Sequence, residues 1–270
     1  MSDTIGTQRV DRTSRDFADP AVADECLALL EAHGVVVYRC ADISDTDLVA
    51  FSRMLGRVVV APVGGLPDHP EISPVTLDPA RSELAAYRKS TFFWHLDGAQ
   101  DEVPQKATLL AAREIADEGG DTEFADTFMA YDALSDAAKA EIDDLRVVHS
   151  IAASQLLMHP DPTPKQRAAW DRTPSREHPL VWKRPDGRRS LLIGASAGEI
   201  VGRSPESGRA LLDRLLAWCT EPRFVLHHQW KVGDLVVWDN TRMLHRALPY
   251  DPTSRRLLHR TTLEGERAVA

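Results

Sequence analysis

The sequence predicts a mainly β fold with helical decoration, an α+β protein built on a double-stranded β-helix, or jelly roll. Three observations lead there. Short strand-like runs such as GVVVYRC, KATLLAAREI, DLVVWDN and RLLHRTTL recur along the chain. Helical periodicity is confined to the start and to insertions, and strict βα alternation is missing. No G-x-G-x-x-G opens a helix, so a doubly wound nucleotide-binding sheet is disfavoured.

Taken in order, PAVADECLALLEAHG places Val22, Cys26, Leu29 and Leu30 on one helical face and closes on Gly34, after which GVVVYRC reads as a strand. SDTDLVAFSRMLG is a short helix with Ser44 as N-cap and Gly56 as C′ residue. From Val58 to Ala80 repeated Pro and Gly predict loops and edge strands. STFFWHLDG reads as a strand, and KATLLAAREI as another that ends at the turn EGGDT. TFMAYDALSDAAKAEIDDL is helical with a break and new N-cap at Ser135. The Pro- and charge-rich stretch from His159 to Glu177 is the candidate mobile lid, an insertion around residues 155–180. SLLIG is a strand. SPESGRALLDRLLAWCT is a helix with Ser204 at N-cap and Pro205 at N1. RFVLHHQW, DLVVWDN and RLLHRTTL are the three strands expected to finish the chain.

At 270 residues, 43% of them hydrophobic and 27% charged, the chain is expected to fold as one domain over residues 1–270 around a large core. Asp and Glu outnumber Lys and Arg by 41 to 32, and the net charge of -9 is unsuited to tracking a phosphate backbone, so nucleic acid is not an expected partner. The polar start has no apolar signal region and no stretch has the length of a membrane span, which predicts a cytoplasmic protein without a membrane partner. Cys26, Cys40 and Cys219 are scattered and never spaced as CxxC. They are read as buried thiols rather than as disulfides or a zinc site.

The chemistry concentrates in three separated pieces: His95 and Asp97 in WHLDG, His245 in WDNTRMLHR, and Arg256 eleven residues further on. On an extended segment residues two apart point the same way, so His95 and Asp97 can reach one ion. Two imidazoles and a carboxylate are the facial ligand set of a non-haem Fe(II) with open positions. Alternation along RLLHRTTL puts Arg256 and Arg260 on one face, with His259 on the other. An arginine inside a barrel needs an anion, and its planar fork suits a carboxylate.

With EGGDTEFAD, VGDLVVWDNTRMLHR and RRLLHRTTL added, the pattern from about Gly34 to Glu264 resembles the Fe(II)/2-oxoglutarate-dependent dioxygenases of the group containing taurine dioxygenase and 2,4-dichlorophenoxyacetate dioxygenase. The resemblance implies Fe(II) on His95, Asp97 and His245, and a far carboxylate of 2-oxoglutarate held by Thr122 and Arg256. It implies oxidation of a small-molecule substrate by O2, with release of succinate and CO2. The carboxylate ligand Asp97 favours hydroxylation over halogenation. Arg260 is a candidate for the substrate's acidic group or the iron-bound end of the cosubstrate, and Thr91 a candidate pocket residue. Ala61 stands where taurine dioxygenase presents a histidine, so a carboxylate-bearing, aryloxyalkanoate-like substrate is expected in place of taurine. The family also implies a possible homo-oligomer, dimer or tetramer.

Two other functions compete. LLIGASAGEI contains G-x-S-x-G, the nucleophile-elbow pattern, with Ser196 as nucleophile and Asp239 and His245 as partners. A non-catalytic iron or 2-oxoglutarate sensor would use the same metal site. Structural roles are assigned to His227, His228 and His259, packing to Trp94 and Trp238, and turn formation to Asp239 and Asn240.

Overall fold

A computed structural model describes residues 5–9, 12–60 and 63–269. Two sheets lie face to face in a mixed α/β arrangement with several antiparallel sheets. The major sheet has the order Thr7–Arg9, Val35–Tyr38, Leu235–Asp239, Ala107–Glu114, Leu257–Leu263 and Ser73–Val75, with only its first pair parallel. The minor sheet is antiparallel, Val225–His228, Thr122–Asp126 and Met243–Ala247.

Period-two alternation explains the packing. Leu110 and Ala112 of the central strand, with Val236, Trp238 and Leu258, face inward and meet Phe124 and Met243 of the minor sheet. The intervening Leu109 and Ala111, with Val237 and Leu263, face outward under the helices Pro20–His33 and Asp45–Leu55. The minor sheet's outer face, including Ala125 and Leu244, is covered by the helix Pro205–Cys219 and the strands around Leu191. Both faces of the major sheet are therefore buried, which is why its strands read as apolar runs rather than as alternating ones.

The helix ends follow the caps expected from sequence: Ser44, Ser135 and Ser204 accept from backbone N–H groups in the first turns of their helices. Gly34 closes the first helix. Gly56 ends the second in extended backbone, not in the left-handed form expected of a C′ glycine.

Several expectations are corrected. STFFWHLDG is not a strand: Ala85–Phe92 is a 3-10 helix, and only His95 joins a sheet-like bridge. Four strands finish the chain instead of three, because His245 sits inside the strand Met243–Ala247. That strand is short and follows a tight turn closed by Arg242 N–H on the Asp239 carbonyl, so its alternation is hard to separate from the preceding run. Without bearing on its reading as a lid, the segment 155–180 holds the helix Pro164–Trp170 and the whole strand Arg176–Pro179. Cys40 is exposed in a left-handed turn, while Cys26 and Cys219 are buried. Ala61 lies outside the described residues. Among the described residues no helix is long and apolar enough to cross a membrane.

Candidate active site and metal centre

The two histidines of the site, distant in sequence, are hydrogen-bonded to each other through their backbones. His95 N–H donates to the His245 carbonyl (3.0 Å) and His245 N–H to the His95 carbonyl (2.9 Å), an isolated antiparallel bridge on the edge of the minor sheet. This pairing sets the imidazole rings with centroids 4.2 Å apart. Asp97, two residues on, completes the cluster: one ligand atom from each of His95, Asp97 and His245 lies within 4.8 Å of the others. The rings are oriented from behind. His95 Nδ1 is 2.8 Å from the Phe93 carbonyl, and His245 Nδ1 is 3.2 Å from the Met243 carbonyl. Nδ1–H donation to these oxygens leaves each Nε2 as the lone-pair nitrogen facing Asp97.

The electrostatics match the donor set a divalent cation requires. Burial, followed by the neighbouring His95, pushes His245 down to about 3, and burial lowers His95 also. Burial alone would raise the Asp97 carboxyl, but Arg260, the two imidazoles and the Thr108 hydroxyl together hold it well below the usual range. Neutral imidazoles and an ionised carboxylate, one Oδ2 of which accepts from Thr108 Oγ1 at 3.0 Å, fit Fe(II).

Gly194 backs this ligand segment. Its φ is +112°, and a Cβ there would stand 2.7 Å from the Trp94 carbonyl oxygen and 3.1 Å from His95 Cα. Packing thus accounts for the first glycine of GASAG, with no catalytic elbow involved. A strand, Ala197–Ile200, follows Ser196 where an elbow needs a helix. Ser196 Oγ pairs with His149 Nδ1 (2.8 Å), not with His245, and Asp239 is engaged by Thr241 and Arg184. Among the described residues His149 Nε2 has no side-chain hydrogen-bond partner, so no carboxylate there completes a triad.

A narrow cavity of about 50 Å³ opens beside the metal ligands, and Thr91, Thr122, Arg256 and Arg260 all line it. Arg256, 2% exposed, donates through Nε (3.1 Å) and Nη2 (2.8 Å) to the Gly120 carbonyl and stacks over Tyr250. Among the described residues no carboxylate lies within ion-pair distance of it. Thr122 Oγ1 accepts from Trp230 Nε1 (2.9 Å), leaving its own proton for an acceptor in the cavity. Thr91 differs: its hydroxyl donates to the Arg88 carbonyl (2.7 Å). Arg260 Nη1 stands 3.6 Å from Asp97 Oδ1, and among the described residues its buried Nε has no hydrogen-bond partner.

Sequence reasoning missed three contributors, Thr108, Trp230 and Arg88, and under-read two, Asn240 and Trp238. Thr108 and Asn240 form a relay behind Asp97, with Asn240 Nδ2 donating to Thr108 Oγ1 (2.8 Å); Asn240 does more than shape its turn. Trp230 orients Thr122, and Arg88 enters the cavity from the 3-10 helix. Trp238 also lines the cavity while packing on His245 at 4.8 Å between ring centroids, so packing is only part of its role. The inward phase of Thr108 on an apolar strand was the one readable signal. The bland readings of His227 and His259 stand, as they pair with Asp121 (2.8 Å) and Asp45 (2.7 Å) away from the cavity.

The profile of the family described as "Taurine catabolism dioxygenase TauD, TfdA family" matches residues 1–262. The chain is 34% identical over 251 residues to the alpha-ketoglutarate-dependent 2,4-dichlorophenoxyacetate dioxygenase of Burkholderia sp. (strain RASC), covering 88% of this chain and 84% of that one. It is 29% identical over 270 residues to an (S)-phenoxypropionate/alpha-ketoglutarate-dioxygenase of Sphingobium herbicidovorans, covering 94% and 89%. The crystal structure of AAD-2 in complex with Mn(II) and N-oxalylglycine superposes with a TM-score of 0.83 at 30% identity, covering 100% of this chain and 97% of that one. With the His95–Asp97–His245 triad in place for Fe(II) and 2-oxoglutarate as cosubstrate, the chain belongs to the TauD/TfdA family of alpha-ketoglutarate-dependent dioxygenases.

Proposed function

We propose that this enzyme hydroxylates a small, partly apolar, carboxylate-bearing substrate of aryloxyalkanoate type, converting 2-oxoglutarate and O2 to succinate and CO2. One observation carries the reading: a buried guanidinium without a carboxylate partner, Arg256, shares a cavity with a complete His/Asp/His ligand set. Iron and the cosubstrate supply the oxidising chemistry when bound. Arg256 and Thr122 hold the far carboxylate of 2-oxoglutarate, the first as a charged donor and the second through the proton that Trp230 leaves free. Arg260, beside Asp97, faces either the cosubstrate's other end or the acid group of the substrate, and Thr91 lines the wall. The carboxylate ligand Asp97 leaves no vacancy for halide, which supports hydroxylation. The relatives named for 2,4-dichlorophenoxyacetate and phenoxypropionate support an aryloxy acid as substrate.

The fold is read as a jelly-roll core in one domain, with residues 155–180 as its lid. Both organic acids are read as entering the cavity beside the metal ligands, which Arg256, Thr122, Arg260 and Thr91 line. The lid's end is coupled to the loop after the ligands, since His178 Nε2 donates to the Asp101 carbonyl at 2.9 Å. A reducing cytoplasmic setting suits ferrous iron, and a dimer or tetramer suits the family.

The test is anaerobic titration of the apoprotein with Fe(II) and then 2-oxoglutarate, following the visible metal-to-ligand charge-transfer band. The band should form in the unaltered protein and weaken in Arg256→Ala. A screen of carboxylates and sulfonates scored by oxygen-dependent succinate release then finds the substrate. Iron binding without the band would overturn the reading, and a band without substrate-stimulated succinate would favour a sensor.

A further inference from the structure

The two glycines of EGGDT have different tasks around Arg256. Gly119, with φ at +72°, lies against the loop that precedes the last strand: a Cβ there would collide with the Pro249 carbonyl oxygen, and Gly119 and Tyr250 form an isolated antiparallel bridge. The Leu248 N–H donates to the Asp121 carbonyl (2.7 Å) and ties the same two segments together. Gly120 supplies the carbonyl that accepts from Arg256 Nε (3.1 Å) and Nη2 (2.8 Å). One edge of the planar guanidinium is used in this way, and Nη1 with the second hydrogen of Nη2 forms the edge left for a carboxylate. Two bonds to a single oxygen still allow the plane to tilt about it. The Tyr250 ring removes that freedom, because it lies against the guanidinium face with its centroid 4.7 Å from Cζ. Phe92, the last residue of the 3-10 helix, braces Tyr250 in an edge contact with ring centroids 6.1 Å apart. Tyr250 itself stands outside the lining of the metal cavity, so it acts through Arg256.

We propose that Tyr250 is a positioning residue for the cosubstrate: it clamps the Arg256 plane against the Gly120 carbonyl, aims the free edge into the cavity, and makes the far carboxylate of the 2-oxo acid a requirement for tight binding. The inference rests on the dioxygenase reading, in which Arg256 holds that carboxylate. A cation is attracted to a desolvated aromatic face, so the same ring offsets part of the cost of burying Arg256, which is 2% exposed. The position of Tyr250 is set by the loop that carries Gly119 and Gly120, so ring, carbonyl and guanidinium are held as one unit.

The test is anaerobic titration of the Fe(II)-loaded protein with 2-oxoglutarate and with 2-oxopentanoate, which has the same five-carbon 2-oxo acid chain and lacks the far carboxylate. Both chelate iron through the same end, so the charge-transfer band reads both. The unaltered protein should prefer 2-oxoglutarate by about tenfold or more. Tyr250→Leu should raise the Kd of 2-oxoglutarate by about 3- to 30-fold, the scale of a desolvated cation–π contact. The Kd of 2-oxopentanoate, and that of Fe(II) measured without an oxo acid, should change by less than about threefold, so that the preference narrows. Tyr250→Phe keeps the ring and should behave as the unaltered protein does. Should Tyr250→Leu fail to fold, Tyr250→Met fills the same space without an aromatic face and carries the same expectation. A smaller change in the 2-oxoglutarate Kd would overturn the proposal, as would an equal weakening of both oxo acids or of Fe(II), which is what a merely structural role would give. A phenylalanine variant as weak as the leucine one would assign the effect to the hydroxyl and overturn it too. Absence of the band in the unaltered protein brings down the dioxygenase reading and this inference with it, whereas a normal band with an unaltered preference in Tyr250→Leu brings down the role of Tyr250 alone.

Discussion

Replacing Thr108 by valine removes one hydroxyl from behind the metal site and changes almost nothing else. Valine has the same shape, suits a central strand, and keeps the packing of a side chain that is fully buried. What is lost is the Oγ1–H donated to Asp97 Oδ2 (3.0 Å) and the acceptor for Asn240 Nδ2 (2.8 Å). A hydrogen bond to a charged group is worth about 1.5–3 kcal/mol. If that difference is expressed in positioning the ligand carboxylate, Fe(II) affinity falls by about 10- to 100-fold, the usual scale for groups that orient metal ligands. The stranded Asn240 amide, 1% exposed, adds an unfolding penalty of about 1–3 kcal/mol. Anaerobic Fe(II) titration measures the first effect and urea denaturation of the apoprotein the second. Thr108→Ser keeps the hydroxyl and should recover most of the iron affinity. An Fe(II) Kd for Thr108→Val within twofold of the unaltered protein, or a serine variant as weak as the valine one, would refute the relay.

Gly120→Ala should damage cosubstrate binding without touching a charged group. With φ at +75°, alanine there is strained by about 1–2 kcal/mol, and its Cβ would stand 2.7 Å from Arg256 Nε and 2.8 Å from Cδ. Displacing the guanidinium should raise the 2-oxoglutarate Kd by about tenfold or more in the charge-transfer titration; an unchanged Kd would mean that Arg256 does not hold the cosubstrate. His149 makes stability pH-dependent. Burial, with His178 nearby, lowers its pKa from 6.5 to about 3, so between these values the unfolded chain takes up a proton that the folded one refuses. Stability from this group is complete above pH 6.5 and declines as pH falls toward 3, by about 2 kcal/mol at pH 5. Urea unfolding at pH 7 and pH 5 should show a loss larger by that amount in the unaltered protein than in His149→Gln, and parallel losses would contradict the assignment.

Much of the outer architecture was legible because it depends on local chemistry. Ser44, Ser135 and Ser204 cap helices through contacts within a few residues, and the apolar run of Leu235–Asp239 can be buried on both faces only as a central strand. STFFWHLDG misled because apolar and aromatic residues upstream of His95 mimic a strand. Their burial is set by the facing core, and the backbone winds into a 3-10 turn that aims Arg88 inward. G-x-S-x-G misled for a similar reason, since a glycine needed for close approach to His95 looks the same in sequence as one needed for an elbow.

By itself the sequence determined the donor set: residue type and the two-residue spacing make His95 and Asp97 half of a chelate. Only the tertiary structure decided that His245 bonds backbone to backbone with His95, that Thr108 and Asn240 stand behind Asp97, and that Arg88, Arg256 and Arg260 share one cavity. The difference is one of range. Side-chain chemistry and strand alternation are local properties of the chain, whereas the partner of a buried polar group is chosen by how two sheets pack, and that choice depends on residues more than a hundred positions apart.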